Sequence, residues 1–189
     1  MSRKQGVILY GPPAAGKDTV TAALAELNLR YRQFERLKVG SGKATGYRMG
    51  TVDQLRELEA AGDVVYANSR YGNTYVIDRP GLDEAFAAGV PVVHLGQVDG
   101  IQALVDRYPA DWATVLLWCP REVTAQRSAG RGDSDTTARI AAWEATRKDL
   151  DVHPETVWDL TVDTMTSSPE ESARAIDELL DQRAGAATA

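Results

Sequence analysis

Gly11, Gly16 and Lys17 lie at the spacing G-x-x-x-x-G-K in the stretch GPPAAGKDTV, residues 11–20. A loop of this spacing wraps backbone N–H groups around the phosphates of a nucleotide, while the lysine reaches the terminal phosphates. A buried-type apolar run precedes the loop and an amphipathic pattern follows it, as the motif requires. We therefore predict an ATP-binding loop that consists of Gly11, Pro12, Pro13, Ala14, Ala15, Gly16, Lys17, Asp18 and Thr19.

Asp18 stands where such loops normally place a serine or threonine, whose hydroxyl binds Mg²⁺. A carboxylate is an equally hard oxygen ligand, so we predict that Asp18 binds the Mg²⁺ that accompanies ATP. The alternative is that Asp18 caps the positive end of the next helix and leaves Thr19 or water to serve the metal. The strand PVVHLG, residues 91–96, ends without an acidic residue, and Asp18 could supply the charge that is missing there. We interpret His94 in that strand as a residue of the core or of a pocket wall.

Arginines follow in a second cluster, with Arg127 and Arg131 in QRSAGRG and Arg139 and Arg147 on the next predicted helix. Arginines on a mobile loop can close over a triphosphate, exclude water and stabilise charge on the transferred group. Without the phosphate-binding loop, such residues would be read as solvated surface side chains. We predict a lid near residues 126–138 and the catalytic residues Lys17, Arg127, Arg131 and Arg139.

Short apolar runs alternate with helical patterns along most of the chain, which is typical of a parallel sheet with crossover helices. The predicted strands of this sheet are VILY, PVVHLG, ATVLLW and TVWDLTVD, at residues 7–10, 91–96, 113–118 and 156–163. The predicted helices are at 18–27, 51–62, 80–89, 121–130, 134–150 and 168–183. The fold class is therefore α/β, a P-loop NTPase-type parallel sheet of about five strands flanked by helices, with a small acceptor-binding insert and an arginine lid.

The middle of the chain has its own local signals. The helix at 51–62 begins with a capping box of Thr51 and Gln54 and ends at Gly62, a predicted C-terminal cap. The runs DVVYAN and TYVI flank the turn SRYGN, which predicts a hairpin or a tight corner. We predict one domain, residues 1–189, with a core of 1–34, 81–125 and 139–183, an acceptor-binding insert at about 35–80, the lid at about 126–138 and a tail at 184–189.

The ordered combination of these motifs resembles the guanylate kinase-like group of P-loop kinases, which belongs to the nucleoside monophosphate kinases. GPPAAGKDT resembles the phosphate-binding loop of that group, TGYRMGTVDQLRELEAAGDVVYANSRYGNTYVI its acceptor-binding insert, and AQRSAGRGDSDTTARI its lid and following helix. The loop is common to many families, whereas its combination with YGN and the lid is more specific. The sequence GKD is similar to the branch that phosphorylates ribose 1,5-bisphosphate.

The resemblance implies that the hydroxyls of Tyr47 and Tyr75 bind a phosphate of the acceptor. Without the family, the stretch KVGSGK at 38–43 is a basic loop that could bind an anion or be a plain flexible loop, and Tyr75 is a packed strand residue. The implied acceptor-binding residues are Arg36, Lys38, Lys43, Tyr47, Tyr66, Tyr75 and Gln97.

Tyr66 and Gln97 occupy the positions at which guanylate kinases place a glutamate and an aspartate that read the guanine edge. Neither side chain is an anionic acceptor for guanine N–H groups, and a site built for one hydrogen-bond pattern rejects another strongly. Val76 and Ile77 also replace the Gly-Thr of the family, which makes the pocket more apolar there. Guanine specificity is therefore not expected.

The composition excludes several other classes of protein. The 189 residues carry a net charge of −6 at pH 7, which argues against non-specific nucleic-acid binding. Cys119 is the only cysteine, which excludes an internal disulfide, and we interpret it as a buried small hydrophobic residue. No apolar run approaches the roughly 18 residues of a membrane helix, and the opening MSRKQGVILYG does not fit a signal peptide. We expect a cytoplasmic monomer or homodimer without nucleic-acid or membrane partners.

These patterns indicate an ATP-dependent kinase that uses Mg²⁺ and moves the γ-phosphoryl group to the phosphate of a small acceptor. The acceptor phosphate would itself be the nucleophile, so no general base is required. We favour a nucleoside monophosphate, including a modified one, because Tyr66 could stack on a base. Ribose 1,5-bisphosphate or a related phosphosugar is one alternative. A non-catalytic guanylate kinase-like binding module is another, although the intact Gly16-Lys17 and the lid arginines argue against it.

Overall fold

A computed structural model of the chain describes residues 4–42, 44–70, 72–130 and 136–186. Its strands are β1 (Gln5–Tyr10), β2 (Tyr31–Gln33), β3 (Arg36–Val39), β4 (Tyr47–Gly50), β5 (Val64–Arg70), β6 (Asn73–Asp78), β7 (Val90–Leu95), β8 (Asp111–Trp118) and β9 (Leu160–Asp163). Its helices are α1 (Lys17–Leu27), α2 (Val52–Ala61), α3 (Arg79–Ala88), α4 (Val98–Arg107), α5 (Arg121–Gly130), α6 (Thr136–Val152) and α7 (Pro169–Ala186). In the described part of the chain no helix is long and apolar enough to cross a bilayer.

The central sheet has five strands in the order β2-β7-β1-β8-β9, and every neighbouring pair is parallel. This confirms the predicted α/β class with a parallel sheet flanked by helices. Strand β1 lies in the middle, where Leu9 pairs with His94 of β7 and with Val115 of β8. Because the strands are parallel, the loops that follow β1 and β7 leave the sheet at the same edge.

Both faces of β1 are buried, which explains its continuous apolar run. Val7 and Leu9 pack on one face with α1 and α7, and Ile8 and Tyr10 pack on the other face with α4. All four side chains are fully buried. Cys119 is also buried, as the sequence predicts.

A second sheet of four strands, in the order β4-β3-β6-β5, lies within the range 35–80. Strands β5 and β6 form the predicted antiparallel hairpin, and β3 pairs antiparallel with β6 and parallel with β4. The prediction of a loop at 38–43 is wrong for Lys38 and Val39, because pairing with strands on both sides holds them in β3. The role of this sheet as an acceptor-binding insert stays a prediction.

Several helix and strand boundaries differ from the prediction. Helix α4 was not predicted, although Val98, Ile101 and Leu104 lie at helical spacing and are buried. Strand β9 is shorter than the predicted 156–163, because its pairing with β8 begins at Leu160. Helix α7 extends to Ala186 and so includes part of the predicted tail. The capping box at the start of α2 and the left-handed Gly62 at its end are both present.

Asp78 connects the second sheet to α3. Its carboxylate is 2% exposed, caps α3 by accepting a 2.8 Å hydrogen bond from the Gly81 backbone N–H, and forms an ion pair with Arg48 of β4. The packing is close, because a Cβ added to Gly81 would lie 2.4 Å from Nη2 of Arg48. Arg48 also donates to the Glu35 carbonyl oxygen at 2.9 Å.

We predict that Arg48→Ala lowers the free energy of unfolding by about 1–3 kcal/mol, because it leaves a buried carboxylate without its cation. Urea denaturation measures the change. The matched control is Arg56→Ala, which breaks the exposed pair with Asp53 and should cost less than about 0.5 kcal/mol. Equal losses in the two variants would contradict the assignment of Asp78 and Arg48 as a structural pair.

Candidate active site

The loop after β1 has the backbone geometry of a phosphate-binding loop. Gly11 passes so close to β8 that a Cβ there would lie 2.2 Å from the carbonyl oxygen of Leu117. Gly16 is the N-cap residue of α1 and has a φ of 93°, a left-handed conformation that favours glycine. Ala14 has a φ of 60°, which is uncommon for a residue with a side chain. The loop therefore requires both glycines of its motif.

Lys17, the first residue of α1, turns back over the loop. Its ammonium donates to the carbonyl oxygens of Gly11 at 2.6 Å and Pro12 at 2.9 Å. Burial lowers the pKa of Lys17 to about 8, although the nearby carboxylate of Asp18 acts in the opposite direction. Phosphate oxygens that entered the loop would offer this ammonium stronger, anionic acceptors.

Helix α5 holds the loop from the other side. Thr124, which is fully buried, donates to the Pro13 carbonyl oxygen at 3.1 Å. Arg127 donates to the Ala14 carbonyl oxygen at 2.9 Å and to the Thr164 carbonyl oxygen at 2.6 Å. These bonds give Arg127 a structural role in the loop, and its predicted contact with the transferred phosphoryl group stays a prediction.

A cavity of about 490 Å³ opens between the loop, the second sheet, the end of β7 and α6. This volume is typical of a site for a small molecule. The cavity brings together eight of the predicted site residues, namely Gly11, Pro13, Lys17, Arg36, Tyr47, Tyr66, Tyr75 and Gln97. His94 lines it as well, in agreement with its interpretation as a residue of a pocket wall.

The other described site residues, which are Pro12, Ala14, Ala15, Gly16, Asp18, Thr19, Lys38, Arg127 and Arg139, are not among those that line this cavity. Lys38 does not line the cavity; it is 3% exposed, and its ammonium lies 5.6 Å and 6.0 Å from the ring centres of Tyr47 and Tyr75. Lys43 and Arg131 lie outside the described residues.

The wall formed by the second sheet suits an anion. Arg36 lies 5.2 Å from the centre of the Tyr75 ring and donates a long hydrogen bond of 3.5 Å to Oδ1 of Asn68. The rings of Tyr75 and Tyr47 are 5.2 Å apart in a tilted arrangement. These contacts hold a guanidinium beside two phenol groups, and guanidinium and hydroxyl donors are well suited to phosphate oxygens.

Tyr66 and Gln97, at the two positions that depart from guanylate kinases, bind each other. The Tyr66 hydroxyl donates to Oε1 of Gln97 at 2.6 Å. Gly100 of α4 makes room for the ring, since a Cβ there would lie 2.9 Å from Cε1 of Tyr66. Burial raises the pKa of Tyr66, and the charge of Asp99 adds to the effect. The pair leaves the amide N–H groups of Gln97 and the lone pairs of the Tyr66 oxygen to bind a ligand.

The structure adds cavity residues that the sequence did not reveal. Asn68 is the last residue of the predicted run DVVYAN, and Ser69 and Arg70 lie in the predicted turn, yet all three belong to β5. Asp149 is on α6, seven residues after Ala142, which also lines the cavity. Apart from its place on the predicted helix at 134–150, nothing in the sequence indicated Asp149.

Asp18 lies in the first turn of α1, and its carboxylate is 80% exposed. The N-cap residue is Gly16, so Asp18 makes no N-cap hydrogen bond, but its charge lies at the positive end of α1, as the alternative expects. Its Oδ1 is 3.5 Å from Nδ1 of His94, and Nε2 of that ring is 2.7 Å from the Thr21 hydroxyl. Burial, together with the charge of Lys17, lowers the pKa of His94 to about 4, so the ring is neutral at pH 7.

The surroundings of Asp18 fit a nucleotide-bound cation better than a resident metal centre. Within the described ranges no group of three or more His, Cys, Asp or Glu side chains could hold a metal ion. Asp18 and the exposed Thr19 offer hard oxygen ligands, which Mg²⁺ prefers. Mg²⁺ usually takes its other ligands from phosphates and water, and the exposure of Asp18 permits that.

A smaller cavity of about 230 Å³ adjoins the loop. The loop lines both cavities, because Pro13 and Lys17 contact the larger one and Ala14 and Gly16 the smaller one. The smaller cavity is lined further by Thr19, Val20, Arg127, Thr164, Ser167, Pro169 and Ser172.

Comparison with known proteins places this arrangement among kinases. The family model described as chloramphenicol phosphotransferase-like protein matches residues 43–181, which is most of the chain. No curated protein sequence matches the chain.

Similar solved structures share the fold. A guanylate kinase from Anaplasma phagocytophilum has a TM-score of 0.64 and 15% identity, over 97% of this chain and 87% of that chain. A gluconokinase from Sinorhizobium meliloti has a TM-score of 0.57 and 19% identity, over 100% and 98%. A shikimate kinase from Acinetobacter baumannii in complex with shikimate has a TM-score of 0.53 and 19% identity, over 96% and 95%. At these identities the likeness concerns the fold.

We predict that affinity for ATP falls as the pH rises through about 8, because Lys17 of the free protein loses its proton there. Below pH 8 the ammonium of Lys17 is charged and pairs with phosphate. Each pH unit above this value lowers the affinity for ATP by up to roughly tenfold. Calorimetric titration with ATP in buffers of different ionisation enthalpy should also reveal proton uptake on binding.

Lys17→Arg is the control, because a guanidinium keeps its charge throughout this pH range. Its affinity for ATP should change little with pH, whatever its absolute value. The same pH dependence in both proteins would assign the titration to another group.

Proposed function

This chain belongs to the chloramphenicol phosphotransferase-like family, and on that premise we propose that it moves the γ-phosphoryl group of ATP to the phosphate of a nucleoside monophosphate. The family confirms the predicted ATP-dependent kinase, and the structural neighbours confirm the P-loop kinase fold. The observation that carries the proposal is that Lys17 and the group of Arg36, Tyr47 and Tyr75 line the same cavity.

The donor would bind across the loop. Its phosphates would occupy the backbone N–H groups of the loop and contact Lys17, with the positive end of α1 behind them. Its base would enter the smaller cavity, where Arg127 can stack on a ring and hydroxyl groups of Thr164 and Ser167 are present. In this arrangement the γ-phosphate points toward the larger cavity.

The acceptor would bind in the larger cavity with its phosphate on Arg36, Tyr47 and Tyr75. The phosphate oxygen would attack the γ-phosphorus directly, which requires positioning and charge but no base. Among the described residues that line this cavity, Asp149 is the one carboxylate. We favour a phosphate acceptor over a hydroxyl acceptor because a phosphate nucleophile needs no carboxylate base.

Charge that develops during transfer would be stabilised from two sides. Lys17 would hold oxygens of the terminal phosphates, and the predicted catalytic residues Arg131 and Arg139 would neutralise charge on the transferred group. Asp18, with Thr19, would hold Mg²⁺, which supplies neutralisation of phosphate charge when it is bound. His94, neutral and 3.5 Å from Asp18, would restrict the orientation of that carboxylate.

A phosphosugar such as ribose 1,5-bisphosphate is the second candidate acceptor. The observation in its favour is Asp18, since GKD is similar to the loop of kinases that use this sugar. The cavity also holds three cations, Lys17, Arg36 and Arg70, which could bind a second phosphate.

The proposal predicts ADP release from ATP·Mg²⁺ in the presence of at least one ribo- or deoxyribonucleoside monophosphate. The panel also contains ribose 5-phosphate, ribose 1,5-bisphosphate and chloramphenicol, which represents hydroxyl acceptors. Lys17→Ala serves as the blank and should lose at least roughly a hundredfold in rate, because it removes the charge that holds the terminal phosphates. Turnover of ribose bisphosphate or chloramphenicol alone would refute a nucleotide acceptor.

We predict that Asp18→Ser raises the Mg²⁺ concentration for half-maximal rate by roughly tenfold, because the serine lacks the carboxylate charge. Rates at saturating ATP over a range of free Mg²⁺ measure the shift. Thr19→Ala is the comparison: a shift in that variant, with none in Asp18→Ser, would transfer the metal role to Thr19. Thermal stability should be unchanged in Asp18→Ser, since the side chain is 80% exposed.

A further inference from the structure

Asp149 joins three elements at the edge of the larger cavity. Its Oδ2 accepts a 2.7 Å hydrogen bond from the hydroxyl of Tyr10, at the end of β1, and a 2.8 Å hydrogen bond from the backbone N–H of Val98, at the start of α4. Both bonds use the same oxygen. They fix the carboxylate beside Gln97, the residue that precedes Val98.

The second oxygen of Asp149 is available to a ligand. Within the described part of the chain Oδ1 accepts no hydrogen bond, and Nε2 of His153 lies 3.9 Å away, beyond hydrogen-bond distance. The side chain is 19% exposed and lines the cavity. A partly buried carboxylate with an unused oxygen gains most from an N–H or O–H donor that enters the cavity.

Charges of both signs line the cavity. Lys17, at the phosphate-binding loop, and Arg36 of β3 supply positive charge, and Asp149 on α6 is the one carboxylate among the described lining residues. A ligand group at the α6 end of the cavity therefore meets an anion.

We propose that Asp149 determines acceptor specificity by binding an uncharged N–H-bearing group, such as the amino or imino edge of a nucleobase, through Oδ1. The inference rests on the proposed function, because it assumes that the acceptor phosphate binds at Arg36. Gln97 adds N–H donors beside this carboxylate, so the pair offers an acceptor next to a donor, as nucleobase edges do. A second phosphate at this end would be repelled, which disfavours ribose 1,5-bisphosphate.

Asp149→Asn tests the role of Oδ1 with little change in shape. The amide oxygen of asparagine can still accept from Tyr10 and Val98, while an N–H donor replaces Oδ1 and the charge is lost. We expect roughly a tenfold to hundredfold loss of affinity for the preferred nucleoside monophosphate. Affinity for ribose 1,5-bisphosphate should rise. Calorimetry without ATP measures both affinities, and ADP release is assayed separately.

Two control variants separate recognition from a merely structural role. Asp99→Asn removes another carboxylate whose charge raises the pKa of Tyr66. Asp99 is 77% exposed and does not line the cavity, so the affinities for the nucleotide and for ribose 1,5-bisphosphate should be unchanged. Tyr10→Phe removes one bond to Asp149 and keeps its charge. If Asp149 only supports the fold, Tyr10→Phe should reproduce the affinity loss of Asp149→Asn, and this result would overturn the inference.

The outcomes distinguish this inference from the proposed function. If Asp149→Asn weakens nucleotide binding but the unaltered protein turns over no nucleotide, the proposed nucleotide acceptor is refuted and the role of Asp149 in binding is supported. If the unaltered protein turns over a nucleotide, and Asp149→Asn has the same affinities and the same acceptor preference as the unaltered protein, the role of Asp149 is overturned and the proposed function stands. Tighter binding of ribose bisphosphate than of every nucleotide, or no binding of any of them, would overturn both.

Discussion

The position of β1 in the middle of a parallel sheet is the constraint on which the rest of the structure depends. Because both of its faces are buried and both of its edges are paired, the chain can leave the sheet only at Gly11, against the backbone of Leu117. The turn into α1 then needs the left-handed conformation of Gly16. This geometry aims Lys17 and the positive end of α1 at the edge where β7 also ends, so one site forms there.

Charge in this site is controlled mainly by burial. Lys17 is a weak base for a lysine because its ammonium is desolvated, and His94 is neutral because burial and the neighbouring cations oppose its protonation. Both effects favour an anionic ligand, whose oxygens would stabilise the charge of Lys17. Arg127, in contrast, donates hydrogen bonds to the carbonyl oxygens of Ala14 in the loop and of Thr164. These bonds stabilise the loop before a ligand binds.

The loop and the central sheet could be predicted because each has a local signal, a fixed spacing in one case and continuous apolar runs in the other. The same holds for the capping box of Thr51. Lys38 shows where such signals fail, since its burial depends on pairing with strands from distant parts of the chain. The hydrogen bond of Tyr66 with Gln97 and the placement of Asp149 likewise depend on packing between α4, α6 and the second sheet.

Helix α6 contains both Asp149, which we propose binds the acceptor, and Arg139, which we predict stabilises the transferred charge. Arg139 and Asp149 lie on this helix ten residues apart, about 15 Å along its axis. Asp149 is hydrogen-bonded to Tyr10 at the end of β1 and to Val98 at the start of α4, so the far end of α6 is fixed to the core. A ligand group held at Asp149 would therefore stabilise the helix that also contains Arg139, a predicted catalytic residue. Recognition of the acceptor and neutralisation of the transferred charge would then be coupled through one rigid element, and an acceptor that lacked the donor group would lose rate as well as affinity.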